Sequence, residues 1–360
     1  MASRAQNITI HDVAAKAGVS IKTVSRVLRK EPDVAAATRA KVQEAIDALS
    51  YAPHPSARGL ASTVTNVIGL VAVVWGDLGL PPWEGLRGHY EYRMRLQLGA
   101  LHACEQAGFG LRIEMVGSSG RLAAEHLIGC VRRREVGGYV LTPLSASIPG
   151  LREALDAAGV KYVALAGSAP SQGPCLVSAD DRSAMRALTR IVLAAGHRCI
   201  GLIRGNAGWQ DTEERQAGFL DALAEANVAP DPALIVQGMF EFAAGREAAA
   251  KLLDLSRPPT AIMASSDDIA AGVISLAHER GLKLPDQLSV TGFDDFEIAQ
   301  RIWPPLTSVK RPLETMADIA ARQVIAMLRP KREDQGFATR QLQVQGEVVL
   351  RQSVAPPPAA

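Results

Sequence analysis

The chain has 360 residues, 48% of them hydrophobic, with a formal net charge of +2 and a mean hydropathy of +0.06. This supplies enough apolar material for two or three packed domains and excludes a largely disordered chain. The apolar run Val67 to Trp75 is too short to span a bilayer, and Met1 to Ile10 has no apolar signal core, so a cytoplasmic protein is expected. Charge is unevenly placed: residues 1–62 hold nine Lys/Arg against five Asp/Glu, a net of +4, and the remainder carries −2. A basic head on a slightly acidic body suits a polyanionic partner for the head. Four separated cysteines, Cys104, Cys130, Cys175 and Cys199, contain no C-x-x-C pair and read as free thiols in a reducing compartment.

In chain order, Thr9-Ile10-His11-Asp12 has the form that caps a helix, and Val13, Ala14 and Ala17 then share one face. Gly18 supplies a turn residue tolerant of positive φ. Ser20 caps a second helix, whose inward face is Val24, Val27 and Leu28 and whose outward face shows Ile21, Lys22, Ser25, Arg26 and Arg29. A third helix over Thr38 to Ser50 places Val42, Ala45, Ile46 and Leu49 at i, i+3, i+4 and i+7. Two short helices joined by a glycine turn, the second one basic, have the form of a helix-turn-helix. Spacing and charge alone also fit, less well, a small three-helix bundle with a solvated basic face.

The run Ile10-His11-Asp12-Val13-Ala14-Ala15-Lys16-Ala17-Gly18-Val19-Ser20-Ile21-Lys22-Thr23-Val24-Ser25-Arg26-Val27-Leu28 resembles the head of the lac repressor (LacI/GalR) family. Thr38 to Val42 and Ala48 to Pro53 continue the likeness, with Ala35 standing where the family usually has a capping Ser. The resemblance implies that the second helix enters the DNA major groove, with Ile21, Lys22 and Arg26 at base edges. Their chemistry agrees, since Arg and Lys donate to guanine and Ile meets a thymine methyl. Thr9, Ser20, Thr23 and Ser25 fall to phosphates. Residues 53–61 match the family's hinge helix, too short and too glycine-weakened to hold alone. Its DNA-facing residues would be Ser56, Ala57 and Leu60, the last as a wedge between base pairs.

From Val67 onward, short β-branched runs alternate with alanine-rich helical ones, and Gly108, Gly159, Gly196 and Gly281 each precede a strand. That is the pattern of repeated βα units and parallel sheets. Expected strands are Val67–Val74, Gly138–Thr142, Tyr162–Leu165, Cys199–Ile203, Thr260–Met263 and Leu288–Thr291, too many for one comfortable sheet. The family likeness continues through Leu193 to Ile203, Arg215 to Phe219, Ala264 to Gly272, Ser289 to Asp295 and Pro305 to Val309. It implies an α-helical helix-turn-helix head plus an α/β periplasmic-binding-protein-like core of two parallel-sheet subdomains around a ligand cleft. The expected boundaries are 1–62 for the head, 63–176 with 310–330 for the first subdomain, 177–309 with 331–353 for the second, and 354–360 for a tail.

By those motifs the effector residues are Arg215, which opens R-x-x-G-F, Asp294, which follows Gly292-Phe293, and Phe240, set by its distance from Gly245. Trp209, Asp211, Ser266 and Tyr92 are further candidates. An arginine, a carboxylate and an aromatic platform suit a polar, flat-faced ligand such as a sugar. Arg215 with Asp294 fits a structural ion pair as well, and Phe240 fits an ordinary core residue. Residues 76–95 depart from the family pattern, so part of the first subdomain's wall is unassigned by motif.

Enzyme chemistry finds no support in the chain. Asp267-Asp268 and Asp294-Asp295 are adjacent pairs whose side chains diverge. No H-x-x-x-H, phosphate-loop Gly-Lys-Ser/Thr or G-x-S-x-G occurs. No metal or cofactor is expected. The expectation is a DNA-binding transcriptional regulator, a repressor by family habit, whose hold on a near-palindromic double-stranded operator is controlled by a small-molecule effector, a carbohydrate by its chemistry. A homodimer is expected because one recognition helix reads one half-site and the proline-rich C-terminus cannot form the family's tetramer heptads. A periplasmic solute-binding protein and a sugar-converting enzyme are the other classes compatible with the core.

Overall fold

The chain packs as two units, Met1–Thr65 and Asn66–Ala360. The computed structural model describes residues 8–28, 33–49, 51, 65–74, 90–165, 176–329 and 341–358. The proposed hinge, with Ser56, Ala57 and Leu60, lies outside them, as do Cys175 and most of the stretch 76–95.

The first unit contains α1 (Ile10–Ala17), α2 (Ile21–Leu28) and α3 (Ala36–Ala48). Ahead of α1, the Thr9 backbone N–H and hydroxyl both donate to Asp12 Oδ2 at 2.7 Å. The Thr9 hydroxyl, then its N–H, hold the Asp12 carboxyl below the ordinary carboxylate range. Gly18 ends α1 at φ +65°, and its N–H reaches the Ala14 and Ala15 carbonyls. A Cβ at Gly18 would meet nothing within 4 Å, so torsion rather than space requires glycine. Ahead of α2, Ser20 Oγ accepts the Thr23 N–H at 3.2 Å. The expected inward faces meet in one core of Val13, Ala14, Val24, Val27, Val34, Val42, Ala45 and Tyr51.

The second unit begins with β1 (Val67–Val73), α4 (Tyr90–Ala107), β2 (Gly110–Val116), α5 (Gly120–Arg132), β3 (Gly138–Leu141), α6 (Pro143–Ala146), α7 (Leu151–Ala157), β4 (Lys161–Leu165) and β5 (Leu176–Ala179). It continues with α8 (Asp181–Ala194), β6 (Ile200–Ile203), α9 (Gln210–Glu225), β7 (Ile235–Val236), α10 (Phe242–Leu253), β8 (Ala261–Ala264), α11 (Asp267–Glu279), β9 (Ser289–Thr291), α12 (Glu297–Arg301) and β10 (Ser308–Lys310). It ends with α13 (Leu313–Leu328), β11 (Gln341–Val344) and β12 (Glu347–Val349). The four helix-ending glycines named from the sequence all have positive φ.

Strand order is β11-β5-β4-β3-β1-β2 in a parallel first sheet and β7-β6-β8-β9 in a parallel second one, while β10 and β12 pair antiparallel. Side chains alternate across the first sheet with period two. Ile68 and Leu70 join the core under α4 and α13, and Val71 and Val73 join the one under α5 and α7. Both faces are therefore covered, as parallel strands require. Among the described residues no helix is long and apolar enough to cross a membrane. Cys104 and Cys130 are buried free thiols, and Cys199 is half-buried.

Three boundaries differ from those expected. β5 pairs with β4, so the first subdomain extends to Ala179 and the first crossing is at Asp180, not Val177. Residues 341–344, expected in the second subdomain, are the outer strand of the first sheet: β11 runs parallel to β5 in register Gln341↔Leu176, which satisfies an otherwise open sheet edge. Only from Glu347 does the chain join the second subdomain, through β12. The tail is docked at its start, because the Ala355 carbonyl accepts from the Ser289 hydroxyl at 3.2 Å and lies 2.8 Å from His197 Nε2.

Ala35 occupies the N-cap of α3 in extended conformation (φ −55°, ψ 139°) and makes no side-chain cap bond. Ala35→Ser adds an acceptor at that place and should stabilise α3 by about 1 kcal/mol. Hydrogen exchange of the α3 amides should slow about fivefold, with exchange in the second unit unchanged. An unchanged α3 would show that its first turn is already satisfied some other way.

Candidate functional site

Two clusters of polar side chains stand out, one in each unit. In the first, α2 turns Val24 and Val27 inward, which its 3.6-residue period converts into an outward face of Ile21, Lys22, Ser25 and Arg26. Ile21 is 40% exposed, an unusual surface position for a large β-branched side chain, and Lys22 beside it is also exposed. Thr23, Ser25 and Arg26 are half-buried, and Thr9 and Ser20 are exposed at the starts of α1 and α2. Arg26 Nη2 lies 3.7 Å from Asp33, a loose pair at a solvated position.

In the second unit, a cavity of about 440 Å³ opens between the two sheets' C-terminal ends. This is the usual place for a ligand in open α/β sheets. Tyr92, Trp209, Asp211, Arg215, Phe240, Ser266 and Asp294, the seven candidates drawn from the motifs, all line it. The first subdomain contributes Tyr92 from α4 and Thr142 from the end of β3. The second contributes the start of α9, the turn before α10, the start of α11 and the turn after β9.

Arg215 is only 1% exposed. Its Nε donates to Asp181 Oδ2 at 3.1 Å, its Nη2 to Asp294 Oδ1 at 3.4 Å, and its Nη1 to the Ser265 carbonyl. The guanidinium is layered over Phe293 at 3.9 Å from the ring centre, with Phe240 at 5.5 Å on the cavity side. The R-x-x-G-F motif thus has three separate duties. Arg215 enters the cleft, Gly218 lets α9 touch the backbone of α8 at Arg182, and Phe219 fills the core. Phe240 tilts 38° against Trp209 with ring centres 5.6 Å apart. It packs on Gly205, and its N–H donates to Asn206 Oδ1 at 3.1 Å.

Sequence reasoning missed the partners that hold this arrangement. Arg311, 3% exposed, donates from Nε to Asp181 Oδ1 at 3.1 Å and from Nη2 to Asp211 Oδ2 at 2.7 Å, with the Tyr92 ring 5.9 Å away. Asp181 therefore sits between two arginines. A lone arginine directly after the buried strand β10, and an aspartate opening α8, were the available signals. Asp268, Asn206, Met239 and Glu241 also line the cavity and were not singled out.

The Gly-Phe-Asp-Asp turn after β9 is held from behind. Asp267 Oδ2 accepts the Phe296 N–H and its Oδ1 accepts the Ser308 hydroxyl, both at 2.6 Å. A Cβ on Gly292 would fall 2.1 Å from Asp267 Oδ1, so only glycine fits. Asp294 and Asp295 adopt φ +105° and +52°, strained values for non-glycine residues. The adjacent aspartates diverge as expected: Asp267 braces the turn while Asp268 borders the cavity.

Burial pushes the Asp294 carboxyl up to about 6, against the pull of Arg215 and Arg311. Burial also pushes Asp211 upward, but the charges of Arg311 and Arg215 outweigh it and hold that carboxyl below its ordinary range. Burial lowers the Arg311 guanidinium, yet Asp181 and Asp211 more than reverse it and keep Arg311 charged. Burial raises the Tyr92 hydroxyl as well, so it is a neutral donor.

A carboxyl whose folded-state pKa is raised binds its proton more tightly than the unfolded chain does. Stability therefore falls as pH rises from its ordinary value through about 6. Asp294→Asn removes that dependence. Between about pH 5 and 7, wild type should lose about 1 kcal/mol more stability than the variant, as chemical denaturation at the two pH values reads it. Parallel losses in both proteins would show that Asp294 does not titrate there.

Both units have relatives among known proteins. Residues 9–54 match the model for bacterial regulatory proteins of the lacI family, and residues 189–354 match that of a periplasmic binding protein-like domain. The HTH-type transcriptional regulator GalR of Escherichia coli (strain K12) is 30% identical over 332 residues, 89% of each chain. DegA of Bacillus subtilis (strain 168), another HTH-type transcriptional regulator, is 31% identical over 350 residues, 97% of this chain and 98% of its own. Among solved structures, the transcriptional regulator CelR–cellobiose complex gives a TM-score of 0.71 at 29% identity, covering 96% of this chain and 99% of that one. The lac repressor bound to ONPG gives 0.76 at 25% identity, covering 97% and 100%. With a helix-turn-helix head, a two-subdomain parallel α/β core and relatives alike across nearly their whole length, the chain belongs to the lacI family of bacterial regulatory proteins, as an HTH-type transcriptional regulator.

Proposed function

We propose that the chain represses transcription from the cytoplasm as a homodimer bound to a near-palindromic operator. A carbohydrate in the core's cleft sets the affinity for that operator. The observation that carries this reading is the convergence of seven motif residues on one cavity, in a chain that also carries a basic-faced recognition helix. In it, Ile21, Lys22 and Arg26 read base edges, and Thr9, Ser20, Thr23 and Ser25 fix the register on phosphates. Ser56, Ala57 and Leu60 belong to a hinge that seats in the minor groove.

In the cleft, Trp209 and Phe240 form the platform for a sugar's apolar face, and Asp211, Arg215, Ser266, Asp294 and Tyr92 surround its hydroxyls. CelR was solved with cellobiose and the lac repressor with ONPG, which supports a carbohydrate. We read the site as one that binds rather than transforms its ligand, because the acidic side chains nearest its arginines, Asp181, Asp211 and Asp294, are engaged in ion pairs. Ligand changes the relation of the two subdomains, and a coupling of ~1–3 kcal/mol to the DNA-bound form suffices for control.

Fluorescence anisotropy on the chain's own upstream DNA, with and without a panel of mono- and disaccharides, tests the reading. Binding should weaken steeply with salt, and one sugar should shift the affinity about fivefold or more. Arg26→Ala should weaken specific binding at least fivefold, a loss of ~1–3 kcal/mol at one base pair. Trp209→Ala should leave DNA affinity intact and remove the sugar response. Absence of salt-sensitive, sequence-specific binding would overturn the proposal.

A further inference from the structure

The charges around the cavity are not balanced. Among the described residues, Arg93, Arg215 and Arg311 line it with Asp211, Asp268, Asp294 and Glu241, and Asp181 lies directly behind. Arg215 and Arg311 are enclosed by carboxylates, their nitrogens 2.7–3.4 Å from oxygens of Asp181, Asp211 and Asp294. Almost nothing of either guanidinium reaches the cavity surface. To pair with either of these two arginines, an incoming phosphate or carboxylate would have to displace one of those aspartates from a desolvated pair, leaving a buried charge uncompensated.

Asp268 is in the opposite position. It lies in the first turn of α11, half-buried at the cavity wall, with no hydrogen-bond or ion-pair partner among the described residues. Its neighbour Glu91 is committed to Arg95 at 2.6 Å and to the Glu297 N–H at 2.9 Å, and adds negative charge rather than a donor. Burial, then the Glu91 charge, push the Asp268 carboxyl upward, so it gains from any donor that enters. Glu241 at the exposed rim adds a second carboxylate without a side-chain partner among the described residues.

We propose that the cavity selects its effector by charge: it rejects anionic carbohydrates and offers Asp268 to a protonated amino group, so that amino sugars are the best-fitting ligand class. This rests on the carbohydrate reading above. Asp268 is the specificity-determining residue, and the aromatic platform contributes equally to neutral and aminated sugars.

Calorimetric titration of the full chain with two matched series tests it: glucose, glucosamine and glucose 6-phosphate, then galactose, galactosamine and galactose 6-phosphate. The titrations are run at about pH 6.5, where the amines are protonated. In at least one series the amino sugar should bind about fivefold tighter than its neutral parent, and the phosphate ester about tenfold weaker. Asp268→Asn should erase the amine preference while the neutral parent's affinity stays within about twofold. Far-UV circular dichroism checks that the variant is folded, and Glu241→Gln provides a second variant that should reduce the preference in part. Neutral sugar binding without an amine preference, tighter binding of the phosphate ester, or a preference that survives Asp268→Asn would overturn the charge proposal alone. Absence of binding by any member would remove the carbohydrate reading and this inference with it.

Discussion

The core depends on the ion pairs that surround Asp181. This carboxylate opens α8 immediately after the chain first crosses between subdomains, and it accepts from Arg215 in α9 and Arg311 just past the second crossing. Its neighbour Asp180 takes part in the third crossing, where its N–H donates to the Val344 carbonyl at 3.0 Å and its side chain accepts from Gln345 at 2.9 Å. All three crossings thus meet at two consecutive residues. Burying such charges gives little net stability over well-packed apolar residues, but removing one partner costs about 3–5 kcal/mol. The arrangement is better understood as a fixed point that ties the three crossings together and sets the geometry of the cavity's charged floor.

Strain is added at the same place. Asp294 and Asp295 carry positive φ, each a cost of about 1–3 kcal/mol unless the surroundings impose it. Here they do: Asp267 grips the following N–H, the Asp294 N–H donates to Val309 at 2.9 Å, and Arg351 holds Asp295 at 2.7 Å. The strained turn aims the Asp294 carboxylate at Arg215 instead of along the strand. Burial pushes the carboxyl in that pair up to about 6, against the pull of Arg215 and Arg311.

How much of this was legible in the sequence follows the range of the interactions. Helix ends, caps and inward faces depend on residues within four positions, and Gly18, Ser20 and Val24 declared them directly. Arg215, Phe240 and Asp294 were found because motif spacing fixes where they fall relative to strand ends. Arg311 and Asp181 were missed because their partners are 130 positions apart and neither sits in a local pattern. The same reason explains β11: nothing within 341–344 says that it pairs with Leu176–Ala179 and not with the second sheet. Asp268 was noticed only as half of an acidic pair, since its lack of a partner among the described residues is a fact of three dimensions.

The two units solve opposite problems with the same residue type. The cleft arginines are locked by aspartates and aromatic rings, so their positions are fixed within the fold. Arg26 on α2 makes a 3.7 Å contact with the exposed Asp33, which is worth little in water. A weak tether of this kind limits the side chain's range without fixing its direction. Rigid pairing in the core and loose pairing on the reading helix are therefore two consequences of one balance, in which the degree of burial decides whether an ion pair holds a shape or merely holds a residue in reserve.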